Sequence, residues 1–372
     1  MNKHKRNIAK YIFLGTFVFI GIFADFIAND KAIIARQNGH IIFPIFSKNN
    51  INSENQHPII SPIIKYSFNT IDLKNAGYVS PFGKQELDKE QQRHFLGTDL
   101  YGRDVLAGLI HGTQVALIVG FGSMFLAFII GMLMSLFPSY YSDKGLKIRW
   151  TEFVILIISL LFIIYISVYN KYLNTKISDV ALFFNIFAII LFLIKKLKWE
   201  GRYISLPMDT LSTTTINIIQ ALPSGFLVIV LISLFRISSM MNIILVIGLL
   251  VWPTIARYIR AEVLKVKEER FIESSKILGL SDWHIVSRHI LPYTLSPVLV
   301  ALSYGFAGTI LMESTLSFLS IGTPAEHVSW GTLLSDARQN MSAWWLAVFP
   351  GLAIFLSILL FNSLASEIKE RS

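Results

Sequence analysis

The chain has 372 residues, of which 53% are hydrophobic and 15% are charged, a composition typical of a membrane protein with several apolar helices. The formal net charge of +9 is explained by lysines and arginines at the cytoplasmic ends of such helices, so it does not indicate a nucleic-acid partner. The absence of cysteine excludes disulfides, thiolate metal sites and a cysteine nucleophile.

Residues 1–28 are predicted to form a cytoplasmic tail followed by a first membrane helix. Basic residues are concentrated within residues 3–10, and a largely apolar run follows over residues 11–28. No small-x-small cleavage site follows this run, so we interpret it as an uncleaved helix rather than as a secretory signal peptide.

Residues 29–112 are predicted to form a long extracytoplasmic loop that ends in a short interfacial helix. The loop contains β-prone runs at residues 32–35 and 40–46. Thr98 or Asp99 is expected to cap the interfacial helix, because short polar side chains accept hydrogen bonds from the first free amides of a helix. A polar pattern precedes this helix, and we call it the signature: Gly97, Thr98, Asp99, Gly102, Arg103 and Asp104.

The apolar runs of the chain predict about eight membrane spans, most of them in a transmembrane domain over residues 113–372. The runs lie at residues 11–28, 115–137, 153–169, 180–194, 211–235, 243–259, 294–318 and 344–361. The third and fourth runs predict an inserted hairpin over residues 150–198, which either packs against lipid or binds an accessory subunit. Pro223 interrupts the fifth run and frees backbone groups that a water-filled cavity could satisfy, so it is a candidate pathway residue.

Lysine and arginine are concentrated in alternate connections between the spans, which predicts that both termini lie in the cytoplasm. The same rule places the loop at residues 260–292 in the cytoplasm. Its second part, residues 268–292, is too rich in charge to lie in a bilayer, and we call it the charged loop.

The charged loop is predicted to fold as two short helices. In the first helix, Phe271, Ser274, Ser275 and Leu278 are expected to share one face, with two small residues between two apolar anchors. Gly279 is expected to end this helix in the left-handed conformation. Ser281 or Asp282 is expected to cap the second helix, which should end at Pro292 because proline lacks the amide that a continuing helix needs.

The charged loop resembles the coupling loop of binding-protein-dependent ABC import permeases, in which a Glu-Ala-Ala motif is followed by Gly and then by Ile-x-Leu-Pro or a close variant. The residues that match are Glu273, Gly279, Ile290, Leu291 and Pro292. Ser274 and Ser275 replace the alanines of that family, and the signature is similar to a stretch that precedes the permease helices. The resemblance is to the C-type transmembrane subunit of dipeptide, oligopeptide and nickel importers.

This resemblance implies an all-α fold with a type I permease core of six helices, to which the hairpin is added. It implies a bacterial inner-membrane complex with a second permease, two cytoplasmic ABC ATPase subunits that use ATP and Mg, and an extracytoplasmic peptide-binding protein. The chain itself would contact lipid and bind no cofactor or metal. The ATPase-coupling residues it implies are Phe271, Glu273, Ser274, Ser275, Leu278, Gly279, Ile290, Leu291 and Pro292.

Catalytic motifs are missing from the sequence, which has no phosphate-binding G-x-x-x-x-G-K-[ST] pattern and no histidine spacing typical of a metal site. We therefore do not expect an enzyme. Glu313 lies within an apolar run, and intramembrane carboxylates are often functional. It is expected either to hydrogen-bond a neighbouring helix or, like Pro223, to be a pathway residue. An ion-coupled secondary transporter that uses Glu313 is the alternative from another class. The choice between peptide and nickel stays open at this point.

Overall fold

The computed structural model describes residues 3–37, 40–46, 56–87, 91–142, 147–149, 203–205, 207–235, 239–322, 324 and 327–371. These residues form two compact units, of which the first comprises Met1–Leu133 and Ile216–Ser372 and the second Met134–Thr215. The predicted hairpin at residues 150–198 lies outside the described residues. The residues that flank it are paired, because Lys147–Arg149 and Tyr203–Ser205 form an antiparallel ladder.

The described part of the chain is mainly helical. Its helices are α1 (Lys3–Ile22), α2 (Ala24–Ile27), α3 (Val105–Tyr141), α4 (Met208–Ala221), α5 (Ser224–Phe235), α6 (Met240–Val266), α7 (Arg270–Ile277), α8 (Asp282–Ile285), α9 (Leu291–Phe318), α10 (Trp330–Ala337) and α11 (Trp345–Arg371). Its strands are β1 (Ile34–Gln37), β2 (His40–Ile42), β3 (Gln56–Ile60), β4 (Lys147–Arg149) and β5 (Tyr203–Ser205). The all-α prediction is therefore correct for the bundle but misses two small sheets.

Four helices of the described residues are long and apolar enough to cross a membrane, or five if one bent pair is counted as a single span. The four are α3, α6, α9 with the residues that precede it from Asp282, and α11. The predicted first span is not among them, because the helix breaks at Phe23 and its apolar part, Lys10–Ile22, is short. The expected number of eight spans thus stays a prediction.

The interfacial helix predicted before the second span is not a separate element. Helix α3 runs without a break from Val105 to Tyr141. Its first turn is capped by Asp104, whose Oδ1 accepts a hydrogen bond from the Ala107 amide at 2.7 Å, and not by Thr98 or Asp99 as the sequence suggested.

Pro223 divides the fifth apolar run into two helices. Helices α4 and α5 meet there at an angle of 95°. A proline ring has no amide hydrogen and clashes with the carbonyl four residues earlier, so a single straight helix could not form. This part of the chain is a broken span or a re-entrant segment.

Small residues allow α9, α10 and α11 to pack closely together. Helix α10 lies in what the sequence predicts as a loop, and a reciprocal capping box between Ser329 and Thr332 begins it. Gly331 of α10 lies so close to the backbone of Ser314 in α9 that a side chain would not fit. The Trp330 indole donates to the Leu109 carbonyl of α3 at 3.0 Å, which ties α10 to both helices.

The segment before α3 contains a three-stranded antiparallel sheet in the order β2-β1-β3. Strand β2 lies within the β-prone run predicted at residues 40–46, and β1 overlaps only the end of the run predicted at residues 32–35. The rest of the segment packs on the end of the bundle where α3 and α11 begin, through a cluster that includes Val105, Trp345 and Leu346. We call this end the signature end, and the charged loop lies at the opposite end, between α6 and α9.

Candidate functional site: the charged loop and the signature

The charged loop folds as two short helices, as predicted, separated by Gly279. Helix α7 ends at Leu278, and Gly279 has a φ of +76°, the left-handed conformation that a C-terminal glycine adopts without strain. Ser281 begins α8, because its side chain accepts a hydrogen bond from the His284 amide at 3.4 Å. The loop is therefore a compact helical hairpin.

The two faces of α7 differ from the prediction. Ile272 and Ser275 are buried, and the Ser275 hydroxyl donates to the Phe271 carbonyl at 2.8 Å. Phe271 itself packs on Tyr293 of α9, with the ring centroids 5.0 Å apart. Phe271 therefore packs α7 against α9, and Ser275 is buried, so these two residues do not form the exposed surface.

The exposed surface of the loop is formed by other residues. Ile277 is 81% exposed and Leu278 is 78% exposed, while Trp283 of α8 is 68% exposed. Such apolar exposure on a charged loop indicates a binding surface. We call it the loop surface, and its members are Glu273, Ser274, Ile277, Leu278, Leu280 and Trp283.

Sequence reasoning missed Ile277, Leu280 and Trp283. The available signal was the concentration of large apolar residues at 277, 278, 280 and 283 in an otherwise charged loop. The anchors were assigned by spacing to Phe271 and Leu278, and the packing of Phe271 on Tyr293 was not visible.

The second helix does not end at Pro292, contrary to the prediction. After α8 the chain continues through a π-helical turn, Val286–Ile290, directly into α9. In this turn the Leu291 amide donates to the Val286 carbonyl, five residues back. The wider turn shifts the hydrogen-bond pattern ahead of Pro292, so the missing amide and the ring are accommodated without a break.

This continuity connects the loop surface to a membrane span. Ile285 and Ile290 are fully buried, and Leu291 is half-buried. Helix α8 therefore continues into α9 as one packed helix, while Gly279 separates α7 from it.

The signature residues are brought together at the start of α3. Asp99 accepts hydrogen bonds from the amides of Tyr101 and Arg103 at 2.9 Å, and from the Arg103 side chain at 2.5 Å. Gly102 has a φ of +82° and lies directly against the Asp72 carbonyl, so no other residue would fit there.

One further contact links the signature to the bundle, and another links it to the rest of the loop. The Arg103 guanidinium also donates to Asp336 of α10 at 3.3 Å. The Thr98 hydroxyl donates to the Asn75 carbonyl at 2.7 Å. Burial raises the pKa of Asp336, and Asp99 adds to this effect, whereas Arg103 opposes it. The signature thus stabilises a folded loop rather than forming an interfacial helix.

A buried histidine lies at the centre of this folded loop. The His94 ring is 0% exposed and contacts Asp104 through Nδ1 at 2.8 Å and Asp72 through Nε2 at 3.3 Å. Burial lowers the pKa of His94, but the hydrogen bonds and charges of the two carboxylates outweigh it and raise the pKa overall. An imidazolium donates to both acids at once, so His94 connects the loop to the cap of α3.

The pKa values of Asp72 and Tyr66, which neighbour His94, are also shifted by burial and by groups of this cluster. Burial raises the pKa of Asp72, but hydrogen bonds from Asn75, His94 and the Lys74 amide lower it overall. Tyr66 stacks on the His94 ring at 4.2 Å, and burial, together with the charges of Asp72 and Asp104, raises the pKa of Tyr66 to about 12.

Glu313 is buried in α9. It accepts hydrogen bonds from Ser317 at 2.7 Å and from Ser314 at 3.3 Å, both in its own helix. The backbone of this turn lies against Gly331 of α10.

A cavity of about 380 Å³ lies at the break between α4 and α5. Gln220 and Ser224 give it polar atoms, and Leu227, Leu250 and Met312 give it an apolar wall. Among the described residues, no group of three or more His, Cys, Asp or Glu residues could hold a metal ion.

Residues 198–368 match the family model described as "Binding-protein-dependent transport system inner membrane component". The chain is 28% identical over 278 residues to a putative peptide transport system permease protein of Brucella suis, with 74% of this chain and 72% of the relative covered. It is 27% identical over 323 residues to a dipeptide transport system permease protein of Alkalihalophilus pseudofirmus, with 85% of each chain covered. It is 25% identical over 320 residues to an oligopeptide transport system permease protein of Haemophilus influenzae, with 84% and 82% covered.

Among solved structures, an inward-facing methionine ABC transporter aligns with a TM-score of 0.42 at 16% identity over 71% of this chain and 97% of that chain. Over residues 198–368 the chain is thus similar to inner membrane components of binding-protein-dependent transport systems. The relatives are named as permease proteins of peptide, dipeptide and oligopeptide transport systems, which are transport components. The matches give no support to the secondary-transporter alternative.

Proposed function

We propose that this chain is the permease subunit of a peptide importer and that it couples to an ATPase through the loop surface. The observation that carries the coupling is the exposure of Ile277 and Leu278, at 81% and 78%, on a helix whose opposite side is packed against a membrane span. Apolar side chains presented on a rigid element act as anchors when a partner offers pockets for them. Glu273 and Ser274 lie on the same exposed side and allow a close approach.

The coupling proceeds as a rigid-body movement. When the ATPase subunits close on ATP and Mg, the groove that holds α7 shifts, and α7 moves with it. Gly279 keeps α7 separate from α8, while the π-helical turn and Pro292 carry the displacement into α9. Ile290 and Leu291 keep this junction packed.

The proposed complex contains a second permease, two cytoplasmic ABC ATPase subunits and an extracytoplasmic peptide-binding protein. Binding-protein-dependent importers require an ATPase and a substrate-binding protein, and the heterodimer is our extension of that requirement. The chain would lie in the bacterial inner membrane with both termini in the cytoplasm and about eight spans, including the hairpin at residues 150–198.

The pathway is proposed to pass the break at Pro223. A broken span leaves backbone amides and carbonyls without helical partners, and the cavity beside it offers both polar and apolar lining. Glu313 is hydrogen-bonded within α9, so we assign it a structural function in the contact with α10 rather than a place on the pathway.

The peptide substrate is proposed because the relatives are named peptide, dipeptide and oligopeptide permeases. The test is reconstitution of the chain with its permease, ATPase and binding-protein partners in vesicles. We expect ATP-dependent uptake of labelled peptides, with unlabelled peptide as competitor. Uptake driven by a proton gradient without ATP would contradict the proposal.

Replacement of Gly279 by valine should uncouple ATP hydrolysis from uptake. No atom lies within 4 Å of a Cβ at this position, so the effect comes from the backbone, where a φ of +76° costs a β-branched residue about 1–2 kcal/mol. The measurement is the ratio of peptide uptake to ATP hydrolysed. Gly279→Asn is the matched control, because asparagine tolerates the left-handed conformation, and equal ratios for the two variants would contradict this account.

A further inference from the structure

A tight turn at residues 80–83 presents an exposed phenylalanine at the signature end. The Gly83 amide donates to the Ser80 carbonyl at 2.9 Å and closes the turn, and Phe82 at its tip is 85% exposed. The Arg93 guanidinium donates to the carbonyls of Pro81 and Gly83 at 2.9 and 3.3 Å. These hydrogen bonds fix the conformation of the turn and therefore the position of Phe82.

Phe82 is stacked on Trp344, an exposed residue directly before a candidate membrane span. Its ring lies 6.4 Å from the ring of Trp344, at an interplanar angle of 24°. Trp344 immediately precedes α11, a candidate span. Below Trp344, exposed apolar residues follow at helical spacing on the same face: Val348, Leu352, Phe355 and Leu359. Phe82 thus extends the exposed apolar face of the span beyond its end.

The segment that carries Phe82 is fixed to this span. The buried Trp345 indole donates to the Thr98 carbonyl at 3.1 Å, next to Gly97, whose backbone approaches Val79 and Pro81. The position of Phe82 relative to α11 is therefore set by direct contacts.

We propose that Phe82, Met341 and Trp344, which we call the outer patch, insert into the interfacial region of the lipid bilayer at the signature end. Met341 is 86% exposed and lies three residues before Trp344. Tryptophan prefers the headgroup depth where a span leaves the hydrocarbon core, and phenylalanine is found on the apolar face of interfacial elements. The exposed Lys84 beside Phe82 is suited to lipid phosphate. The outer patch is continuous with the exposed face of α11, which favours lipid over a soluble partner. The inference rests only on the membrane-spanning part of the proposed function.

The test uses single-cysteine variants of the full chain, which has no native cysteine. Phe82→Cys and Met341→Cys are each labelled with an environment-sensitive fluorophore and placed in phosphatidylcholine/phosphatidylglycerol nanodiscs that contain nitroxide lipids. Ile277→Cys is the control, because Ile277 is equally exposed, at 81%, but lies on the charged loop at the opposite end. We expect lipid quenching at both outer-patch positions to exceed that of the control by on the order of twofold or more.

The contribution of Trp344 to the outer patch is tested in the same way. Trp344→Ser in the Phe82→Cys background should reduce lipid quenching at position 82, because the label loses the surface that holds it against the bilayer. If aqueous iodide quenches the label and nitroxide lipid does not, the proposal is wrong. It is also wrong if lipid quenching disappears once the second permease or the binding protein is added, since the outer patch would then be a protein interface. None of these outcomes depends on ATPase coupling, so failure here is distinguishable from failure of the proposed function.

Discussion

Replacement of Ile277 and Leu278 together by aspartate should abolish binding of the ATPase subunits while leaving the chain folded in the membrane. Both side chains are mostly exposed, at 81% and 78%, so the folded chain loses little packing. If each acts as an interface anchor, its loss costs about 2 kcal/mol, or roughly a 30-fold decrease in affinity per residue. The measurement is recovery of the ATPase with the tagged chain in mild detergent.

The matched control for this variant is Leu73→Asp. Leu73 is 82% exposed but lies at the signature end, so the same change of charge and polarity should leave ATPase recovery unchanged. Equal loss of the ATPase in both variants would mean that the aspartates act on folding or insertion, and full recovery in the double variant would contradict the loop surface.

Replacement of His94 by leucine should have the largest effect on stability. It leaves Asp72 and Asp104 facing each other in a buried site without the cation between them, and removal of one partner from such a site costs about 3–5 kcal/mol. The measurement is the thermal unfolding midpoint of the full chain in nanodiscs. His327→Leu is the control, because His327 is an exposed histidine that follows α9, and its loss should leave the midpoint unchanged.

The raised pKa of His94 also predicts how the stability of the folded chain changes with pH. The pKa of His94 is raised above 6.5, so the folded state binds a proton more tightly than the unfolded state. The stabilisation is fully present below the ordinary histidine pKa and is lost as the pH rises through the raised value. At acidic pH the relevant group is Asp72. Its pKa is lowered in the folded state, so the stabilisation that its ionised form contributes is lost as the pH falls through this lowered pKa. In His94→Leu the alkaline decrease should vanish, and an unchanged alkaline limb would show that another group is responsible.

The local features of the charged loop could be predicted from the sequence because they depend on single residues. Gly279 takes the left-handed conformation that ends α7, and Ser281 caps α8, as their side chains dictate. The face of α7 that meets a partner could not be predicted, because it depends on which residues the neighbouring span covers. Phe271 packs against α9 and Ser275 is buried, whereas Ile277 is left exposed.

The site at His94 could not be found from spacing either. Asp72 and Asp104 lie 22 and 10 residues away along the chain, and only the folding of the segment before α3 brings them to the imidazole. The effect of each proline on its helix could not be predicted from the sequence either. Pro223 breaks a helix by 95°, whereas Pro292 is accommodated by a π-helical turn, and the difference is decided by packing at each position.

The central claim is that the loop surface binds an ATPase subunit, and cysteine cross-linking tests it most directly. Leu278→Cys, in a chain without other cysteines, is treated in native membranes with a short cross-linker that joins a thiol to an amine, and the product is identified by mass spectrometry. The account predicts a cross-link to a subunit with a nucleotide-binding Walker motif, and none to such a subunit from Leu73→Cys at the signature end. A Leu278→Cys chain that is labelled by a thiol reagent but cross-links to no ATPase, while ATP-dependent uptake continues, would contradict it.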